Sequence, residues 1–243
     1  MLQHQHPNFY LRVNEDTAPI NEKRAEEFHT NVAKLLFSCQ RARPDMQVLT
    51  TRVMKPDEDD WKKLIRAVKY LNGTKDMMLT LNATRNKQSK WWVDASYAVH
   101  PDMKSHTGHA FSMGSGMPIC SSTKQKLNTK SSTEAELVGA DDAMPNLLWV
   151  LYFLQEQGYQ SNVPTMYQDN KSAILLEQNG TRSSSKRTKH INIRYFFITD
   201  RINNGELAIK YCPTDEITGD FFSKPLQGKL FKKFRRLIMN LSK

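Results

Sequence analysis

Four acidic residues in separate parts of the chain have the surroundings expected of a shared carboxylate site. Asp94 and Asp169 each lie at the end of an apolar segment with strand character. Glu136 follows a run of hydroxyl residues at the start of a helix, and Asp220 lies in a helical segment. Carboxylates that meet within a few Å cannot all stay ionised without compensation. Divalent metal ions supply that compensation, and carboxylate oxygens suit Mg²⁺, so the pattern predicts a metal site that cuts phosphodiesters.

The chemistry of phosphodiester hydrolysis sets how many ions such a site needs. The reaction requires an activated water, a neutralised non-bridging oxygen and a stabilised leaving oxygen, and two metal ions about 4 Å apart supply all three. We therefore predict two Mg²⁺ ions, with Mn²⁺ as a substitute. The hydroxyls of Ser131, Ser132 and Thr133, together with free backbone N–H groups at the helix start, could hold a phosphate.

Each acid also has a purely structural interpretation. Two overlapping capping boxes fit residues 131–136, and periodicity alone favours capping over catalysis for Glu136. Asp169 could be a helix N-cap. Asp94 is harder to explain in this way, because a buried and unpaired carboxylate is costly. The ordered set is therefore stronger evidence than any single member.

Two other groups of residues suggest different chemistry. Asp141 and Asp142 are similar to the paired aspartates of polymerases, but that motif needs a tight β-hairpin and this pair lies in a helical run. His100, His106 and His109 suggest a zinc site, but they straddle a loop that offers no partner ligands nearby. We expect these three histidines to be surface or loop residues.

The elements that must position the four acids are predicted from hydrophobic spacing. The predicted strands, in chain order, are residues 77–81, 91–97, 108–113, 117–122, 165–168 and 206–212. The second to fourth should form an antiparallel meander, with a hairpin turn at Gly114-Ser115-Gly116. A long helix follows the Ser131–Glu136 stretch, and a helix starting at Pro213 carries Asp220. Strand–helix–strand units after the meander give a mixed sheet with helices packed against it.

The chain divides into four predicted segments. Residues 1–82 are mainly helical, 83–90 have the composition of a linker, 91–226 form an α/β domain, and 227–243 form a basic C-terminal helix.

Composition restricts the class of protein. The 243 residues allow one large or two small domains, and a hydrophobic content of 39% is enough for a core. No apolar run approaches the ~20 residues of a membrane span, and the N-terminus has no signal pattern, so we expect an intracellular protein with no membrane partner. A net charge of +10 around an acidic pocket suits a polyanionic substrate.

A series of motifs carries a family resemblance. In chain order they are Val93-Asp94-Ala95, Ser105-His106-Thr107-Gly108, Lys124-Gln125-Lys126, Ser131–Glu136, Asp169–Ala173, Arg187–Ile191 and Asp220–Leu226. With these motifs, residues 91–226 resemble the ribonuclease H domain at the end of the Pol polyprotein of copia-type LTR retrotransposons. The N-terminal part is similar to the end of a reverse transcriptase region, through Arg43-Pro44-Asp45, Trp61 and Tyr70–Thr74.

The resemblance implies a fold, an activity and partners. The fold is α/β and ribonuclease H-like, a mixed five-stranded sheet of three antiparallel and then two parallel strands, flanked by helices and preceded by a small, mainly helical domain. The activity is magnesium-dependent cleavage of the RNA strand of RNA–DNA hybrids during retrotransposon reverse transcription. The implied partners are the hybrid and the upstream reverse transcriptase domain of the same polyprotein. The expected location is the cytoplasm, in virus-like particles, or the nucleus.

The resemblance also assigns roles to residues. The catalytic and metal-binding set is Asp94, Glu136, Asp169 and Asp220. The expected substrate-binding residues are Ser96, Ser131, Ser132, Thr133, Asn170, Lys186, Arg187, Lys189 and His190. A solvated basic loop is an equal alternative for the last four.

The sequence departs from the family pattern in two places. Many cellular ribonucleases H have a histidine in the loop before the last aspartate, whereas residues 212–216 contain none. Gly219 stands where alanine is usual, which we expect to be a small change. The chain also starts after the polymerase aspartates, so we expect no DNA synthesis from it alone and regard it as a polyprotein fragment or a truncated copy.

Other functions remain open from the sequence. The main alternative is a catalytically silent or repurposed nucleic-acid-binding module derived from a retrotransposon. An integrase-like recombinase is disfavoured because its glutamate comes last, whereas Glu136 comes second. A structural connection module for a separate polymerase subunit is a further alternative.

Overall fold

The computed structural model describes residues 16–50, 55–85, 88–159, 162–180 and 192–242. The helices are α1 (Glu22–Arg41), α2 (Glu58–Gly73), α3 (Ser132–Glu156), α4 (Lys171–Asn179), α5 (Asn192–Asn203), α6 (Asp220–Ser223) and α7 (Gly228–Met239), with a 3₁₀ helix at Pro44–Thr50. The strands are β1 (Asn82–Ala83), β2 (Lys90–Ser96), β3 (His106–Ser112), β4 (Gly114–Ser115), β5 (Ile119–Lys124), β6 (Thr165–Gln168) and β7 (Ala208–Tyr211). None of these helices combines the length and the apolar character that a membrane crossing requires.

One five-stranded sheet organises the chain from β2 onward. Its strand order is β5-β3-β2-β6-β7, in which β5, β3 and β2 are antiparallel and β2, β6 and β7 are parallel. The predicted ribonuclease H-like mixed sheet, with helices and a helical N-terminal region, is therefore confirmed. Trp92 of β2 pairs with Tyr167 of β6. Continuing this parallel register by two residues brings Asp94 level with Asp169 at one edge of the sheet.

Both faces of the sheet are covered by helices. Successive side chains of a strand point to opposite faces, so neighbouring residues of β3 belong to different core clusters. Phe111 of β3 belongs to a core cluster that includes residues of α3, α4 and α5. Ala110, its neighbour, belongs to a second cluster with Phe221 and Phe222 of α6 and with Phe234 of α7. Every residue of β3 is consequently buried.

This double cover overturns the expectation for His106 and His109, which lie in β3 and not at the surface or in a loop, whereas His100 does lie in a loop. His100, His106 and His109 are buried rather than exposed. His106 shares short contacts with His100 (Nδ1 to Nε2, 3.0 Å) and with the Ser122 hydroxyl (Nε2 to Oγ, 2.8 Å). Burial lowers the pKa of His106 and of His109 to about 4. The two histidines of β3 are thus neutral core residues at neutral pH.

Two predictions around the meander are wrong. Residues 77–81 form no strand, because the Thr80 N–H donates to the carbonyl of Met239 at the end of α7 (3.1 Å) rather than to a strand partner. Gly114-Ser115-Gly116 is not a simple hairpin turn, since β4 pairs with β1. The predicted linker at 83–90 therefore contributes Ala83 to β1 and Lys90 to β2.

The N-terminal helices pack around a core cluster of their own, formed by Phe28, Val32, Leu35, Cys39, Met46, Leu64 and Ala67. A buried polar network joins this region to α7. Arg43 donates to both carboxylate oxygens of Asp45 (2.9 Å each), and Asp45 also accepts from the Tyr70 hydroxyl (2.6 Å). Arg235 of α7 donates to the oxygen of Tyr70 (3.2 Å). Burial, with the charge of Asp45, raises the pKa of Tyr70 to about 12, so its hydroxyl stays protonated and remains a donor.

Gly108 is where α6 approaches the sheet most closely, and its replacement tests this packing. A Cβ at Gly108 would lie 2.5 Å from both the Gly219 carbonyl oxygen and the Ser223 nitrogen, which are backbone atoms. We expect Gly108→Ala to lower the free energy of unfolding by about 1–3 kcal/mol, as overpacking usually does. Urea denaturation measures this. Gly73→Ala is the matched control, because a Cβ at Gly73 meets no atom within 4 Å; equal stability of the two variants would contradict the argument.

The buried histidines predict a pH dependence of stability. A histidine whose pKa is lowered to about 4 in the folded state binds fewer protons there than in the unfolded chain, where its pKa is ~6.5. Stability is therefore lost as the pH falls from 6.5 towards 4, by up to about 1.4 kcal/mol per pH unit for each such group. His109→Leu should remove one histidine's share of this slope in urea denaturation at several pH values. An unchanged slope would show that His109 is not a neutral core residue.

Candidate functional site

Three of the four acids meet at the edge of the sheet where β2 and β6 end. Asp94 comes from β2, Glu136 from the first turns of α3, and Asp169 directly follows β6. Each offers one carboxylate oxygen, and these three oxygens lie within 4.8 Å of one another. Asp94 and Glu136 are buried, whereas Asp169 is partly exposed. The group therefore faces solvent on the Asp169 side.

Helix capping is performed by neighbours of Glu136. Ser131 is the N-cap of α3, and its hydroxyl oxygen accepts from the Glu134 N–H (3.2 Å). The Glu134 carboxylate in turn accepts from the Lys130 N–H (2.8 Å). Among the described residues, Oε2 of Glu136 is buried and has no hydrogen-bond partner. The capping function thus does not account for Glu136.

The same division of roles occurs at α4. Asn170 is the N-cap, and its side-chain oxygen accepts from the Ala173 N–H (3.1 Å). Asp169 instead accepts a hydrogen bond from the Thr214 hydroxyl (2.7 Å). Thr214 lies in a turn, so the helix predicted from Pro213 through Asp220 is wrong. The Pro213 carbonyl accepts from the N–H groups of Glu216 (2.9 Å) and Ile217 (3.0 Å), and the helical segment begins only at Asp220.

Asp220 reaches the site because the backbone of α6 lies directly on β2 and β3. Asp94 pairs with Gly108 across these two strands, and Gly108 has no Cβ to hold α6 away. Gly219 acts similarly, since a Cβ there would lie 2.8 Å from the Asp94 nitrogen. Its exchange with the usual alanine is therefore not a small change in this structure.

Ser223 and Lys224, which follow Asp220 in the chain, both contact the Asp94 carboxylate. The Ser223 hydroxyl donates to Oδ2 of Asp94. The Lys224 ammonium forms an ion pair with Asp220 and lies 3.4 Å from Oδ1 and 3.3 Å from Oδ2 of Asp94. Asp220 is thus connected to Asp94 through Lys224.

The electrostatics of the site follow from burial and from the closeness of like charges. Burial, and then the charges of Asp94 and Asp169, raise the pKa of Glu136 well above its usual range. Burial, and then Asp94, raise the pKa of Asp220 to about 7, although Lys224 acts in the opposite direction. For Lys224, burial is outweighed by Asp94 and Asp220, which raise its pKa. The acids therefore favour any added positive charge.

The residues predicted to bind substrate are not all available for it. Ser96 is buried and donates to the Ser223 carbonyl (3.0 Å), so its hydroxyl joins β2 to α6. Ser131 and Asn170 have capping roles, while Ser132 is exposed and Thr133 is partly exposed at the start of α3. Lys186, Arg187, Lys189 and His190 lie outside the described residues.

The paired aspartates of α3 do not belong to this acidic group. They lie inside the helix, as predicted, and are held by other residues: Asp141 pairs with Arg194, and Asp142 accepts from the Thr107 hydroxyl (3.3 Å).

Sequence reasoning missed Thr214, Ser223 and Lys224. Lys224 carried a detectable signal, because a lysine four residues after an acid in a short helix can pair with it. No comparable signal exists for Thr214, whose contact with Asp169 depends on a turn that the sequence did not predict.

The donor set decides which part of the site fits a metal ion. Asp94, Glu136 and Asp169 offer carboxylate oxygens only, and one of these is an unpartnered buried oxygen of Glu136. Hard oxygen donors in this number suit Mg²⁺ or Mn²⁺. The space between Asp94 and Asp220 fits an added ion less well, because the Lys224 ammonium already binds both carboxylates there.

Comparison with known proteins gives relatives over most of the chain. It is 28% identical over 216 residues to the "Retrovirus-related Pol polyprotein from transposon TNT 1-94" of Nicotiana tabacum, an alignment that covers 87% of this chain and 16% of that polyprotein. It is 33% identical over 202 residues to the corresponding polyprotein from transposon RE2 of Arabidopsis thaliana (81% and 14%). The Transposon Ty1-NL2 Gag-Pol polyprotein of Saccharomyces cerevisiae is 24% identical over 236 residues (91% and 13%). The chain thus spans about a seventh of these relatives.

Solved structures give more distant similarities. LC11-RNase H1, isolated from compost, has a TM-score of 0.41 and 11% identity, over 54% of this chain and 87% of that one. A foamy viral protease-reverse transcriptase in complex with an RNA/DNA hybrid has a TM-score of 0.49 and 11% identity, over 86% of this chain and 27% of that one.

No protein-family model matches the chain. The alignments with the TNT 1-94 and RE2 polyproteins cover 87% and 81% of this chain, which is more than the mixed-sheet region alone. Over most of its length, the chain is a homologue of the Pol polyproteins of copia-type retrotransposons.

Proposed function

We propose that this chain is the ribonuclease H part of a retrotransposon Pol polyprotein and that it hydrolyses the RNA strand of RNA–DNA hybrids with Mg²⁺. The observation that carries the proposal is the meeting of Asp94, Glu136 and Asp169, whose carboxylate oxygens lie within 4.8 Å of one another. Structural roles do not explain this closeness, since the capping functions belong to Ser131 and Asn170. The Pol relatives support the same activity and its place in reverse transcription.

The proposed roles of the residues follow from their positions. Asp94, Glu136 and Asp169 would hold a divalent ion, which supplies positive charge for the scissile phosphate and lowers the pKa of a water molecule. Thr214 orients the Asp169 carboxylate, and Ser223 orients that of Asp94. Ser132 and Thr133, at the start of α3, are placed to donate hydrogen bonds to a phosphate. The basic residues 186–190 remain a proposal for contacts with the DNA strand.

A mechanism with two metal ions requires Asp220 to bind the second ion together with Asp94. A second ion between Asp94 and Asp220 would take the position that the Lys224 ammonium occupies. In the proposed scheme Lys224 leaves this position, which its side chain can do because 38% of its surface is exposed.

The proposed partners are the hybrid and an upstream reverse transcriptase domain of the same polyprotein. A net charge of +10 supports a polyanionic substrate. The network of Arg43, Asp45, Tyr70 and Arg235 supports a fixed connection between the helical N-terminal region and α7.

Cleavage of a labelled RNA strand within an RNA–DNA hybrid tests the activity. With Mg²⁺, we expect Asp94→Asn to reduce the rate at least about a hundredfold, because preorganised charge at the reacting phosphate is lost. Asp142→Asn is the matched control, since it removes an acid of α3 that lies outside the group, and it should cleave at the wild-type rate. The RNA strand alone and the DNA duplex should not be cut.

The same assay distinguishes the nuclease from a nucleic-acid-binding module without catalytic activity. Absence of cleavage by wild type and by Asp94→Asn, with salt-sensitive binding of the hybrid retained by both, would reject the nuclease and favour the nucleic-acid-binding module.

Thr214→Val tests how Asp169 is held. The substitution keeps the side-chain shape but removes the donor to Oδ2 of Asp169. Loss of such an outer hydrogen bond typically costs about 10–100-fold in metal affinity or activity. We expect the Mg²⁺ concentration for half-maximal cleavage to rise about tenfold, with the maximal rate largely recovered at saturating Mg²⁺. Thr123→Val, on the exposed part of β5, is the control; identical Mg²⁺ dependence in both variants would exclude this role of Thr214.

A further inference from the structure

The most unusual feature of the site is a lysine within the acidic group. Lys224 follows α6, and its backbone N–H donates to the Asp220 carbonyl (3.0 Å). Its ammonium pairs with the Asp220 carboxylate and lies within 3.4 Å of both oxygens of Asp94. One monovalent cation of the protein itself is therefore shared by two buried carboxylates.

The backbone position of Lys224 is determined by the fold. Gly108 and Gly219 let the α6 backbone lie on β2 and β3, which fixes the Asp220 and Lys224 backbones beside Asp94. Ser223 donates to the same Asp94 carboxylate from the neighbouring position. Pro225 follows directly and cannot continue the helix, so the chain turns away after Lys224.

Glu136 and Asp169 are compensated less directly, since Glu136 has, among the described residues, only a backbone hydrogen bond with Ala95 and the more distant charge of Lys224. Within the described ranges, no lysine or arginine forms an ion pair with Glu136 or Asp169. Oε2 of Glu136 is also without a donor among these residues. The acids thus differ in compensation: Asp94 and Asp220 both contact the Lys224 ammonium, whereas Glu136 and Asp169 form no ion pair within the described ranges.

We propose that Lys224 is an internal competitor for the second divalent ion. The chain then holds one ion tightly on Asp94, Glu136 and Asp169, and it admits a second ion between Asp94 and Asp220 only when Lys224 is displaced. This inference rests on the metal site of the proposed function, but it concerns ion binding and not cleavage.

The two ions should differ in affinity because they displace different existing contacts. An ion bound by Asp94, Glu136 and Asp169 relieves repulsion among carboxylates and satisfies an unpartnered oxygen, so little existing stabilisation is lost. An ion entering between Asp94 and Asp220 must first break the contacts of Lys224 with two buried carboxylates and then move the ammonium into solvent. Binding of the second ion is therefore weakened by the stability of those ion pairs, and removal of the ammonium should strengthen it.

Titration of the full chain with Mn²⁺ tests the proposal without nucleic acid or turnover. Isothermal titration calorimetry gives the heats of the two steps, and the electron paramagnetic resonance signal of free Mn²⁺ gives the number of ions bound. In the wild type we expect one tight ion and a second ion bound at least about tenfold more weakly. Equal affinity of two ions in the wild type, or no bound ion, would overturn the proposal without any variant.

Three substitutions sharpen the test. Lys224→Met keeps the length of the side chain but removes its charge, and should strengthen the second ion about tenfold or more while changing the first much less. Lys224→Arg keeps the charge and should leave the second ion weak. Lys34→Met removes an exposed lysine of α1, far from the site, and should behave as wild type. An unchanged second affinity in Lys224→Met, or an equal gain in Lys34→Met, would contradict the role of Lys224.

Folding and function are checked separately. Circular dichroism establishes that each variant is folded before titration, and thermal unfolding in EDTA should show Lys224→Met below the wild type, with the difference recovered on adding Mn²⁺. Hybrid cleavage is measured on the same samples. If the wild type does not cleave the hybrid but binds Mn²⁺ in two steps, the proposed nuclease is rejected and the inference on Lys224 stands. If the wild type cleaves the hybrid but binds Mn²⁺ at sites of equal affinity, the nuclease stands and the inference on Lys224 is rejected.

Discussion

Repulsion among buried carboxylates is the constraint on which the rest of the structure depends. Asp94 is 1% exposed and stands beside Glu136, Asp169 and Asp220. Bringing like charges together in a low dielectric opposes folding; burial first, and the charge of Asp94 second, raise the pKa of Glu136 and of Asp220. The chain tolerates the arrangement through donors aimed at individual oxygens, from Ser223, Thr214 and Lys224. A group that the fold compensates only in part is one that a cation or substrate can complete.

The rest of the domain provides the rigidity that such crowding needs. Parallel pairing of β2 with β6 brings Asp94 level with Asp169, and the packing of α3 across the sheet sets Glu136. The close approach of α6 to β2 and β3 depends instead on two glycines. A Cβ at Gly108 or Gly219 would clash with the backbone of the facing segment. Hydrophobic residues on both faces of β3 then hold α3 and α6 in place. The positions of the acids are therefore determined by packing that extends far beyond them.

The sequence predicted the part of this arrangement that depends on periodicity and motif order. Strand alternation and helix spacing predict the mixed sheet, and the ordered set of acids nominates Asp94, Glu136, Asp169 and Asp220. Predictions failed where a contact between distant residues decided the outcome. The helix expected at Pro213 is a turn in which Thr214 binds Asp169, and the turn expected at Gly114 is a strand that pairs with β1. His106 and His109 differ from the expectation because periodicity cannot reveal that both faces of β3 are covered.

The segment Arg43-Pro44-Asp45 shows how local sequence and distant packing combine. Arg43-Pro44-Asp45 suggested only a family likeness in the sequence, whereas in the structure Arg43 and Asp45 are buried and bind each other. A buried ion pair is stable only when its remaining hydrogen-bonding groups have partners. The Tyr70 hydroxyl of α2 donates to Asp45, and Arg43 donates to the hydroxyl of Thr74 at the C-terminal end of α2. Arg235 then links Tyr70 to α7, whose Phe234 and Ile238 pack in the same cluster as α6. A continuous chain of contacts therefore leads from the helical N-terminal region to the helix that carries Asp220, and through it to Lys224.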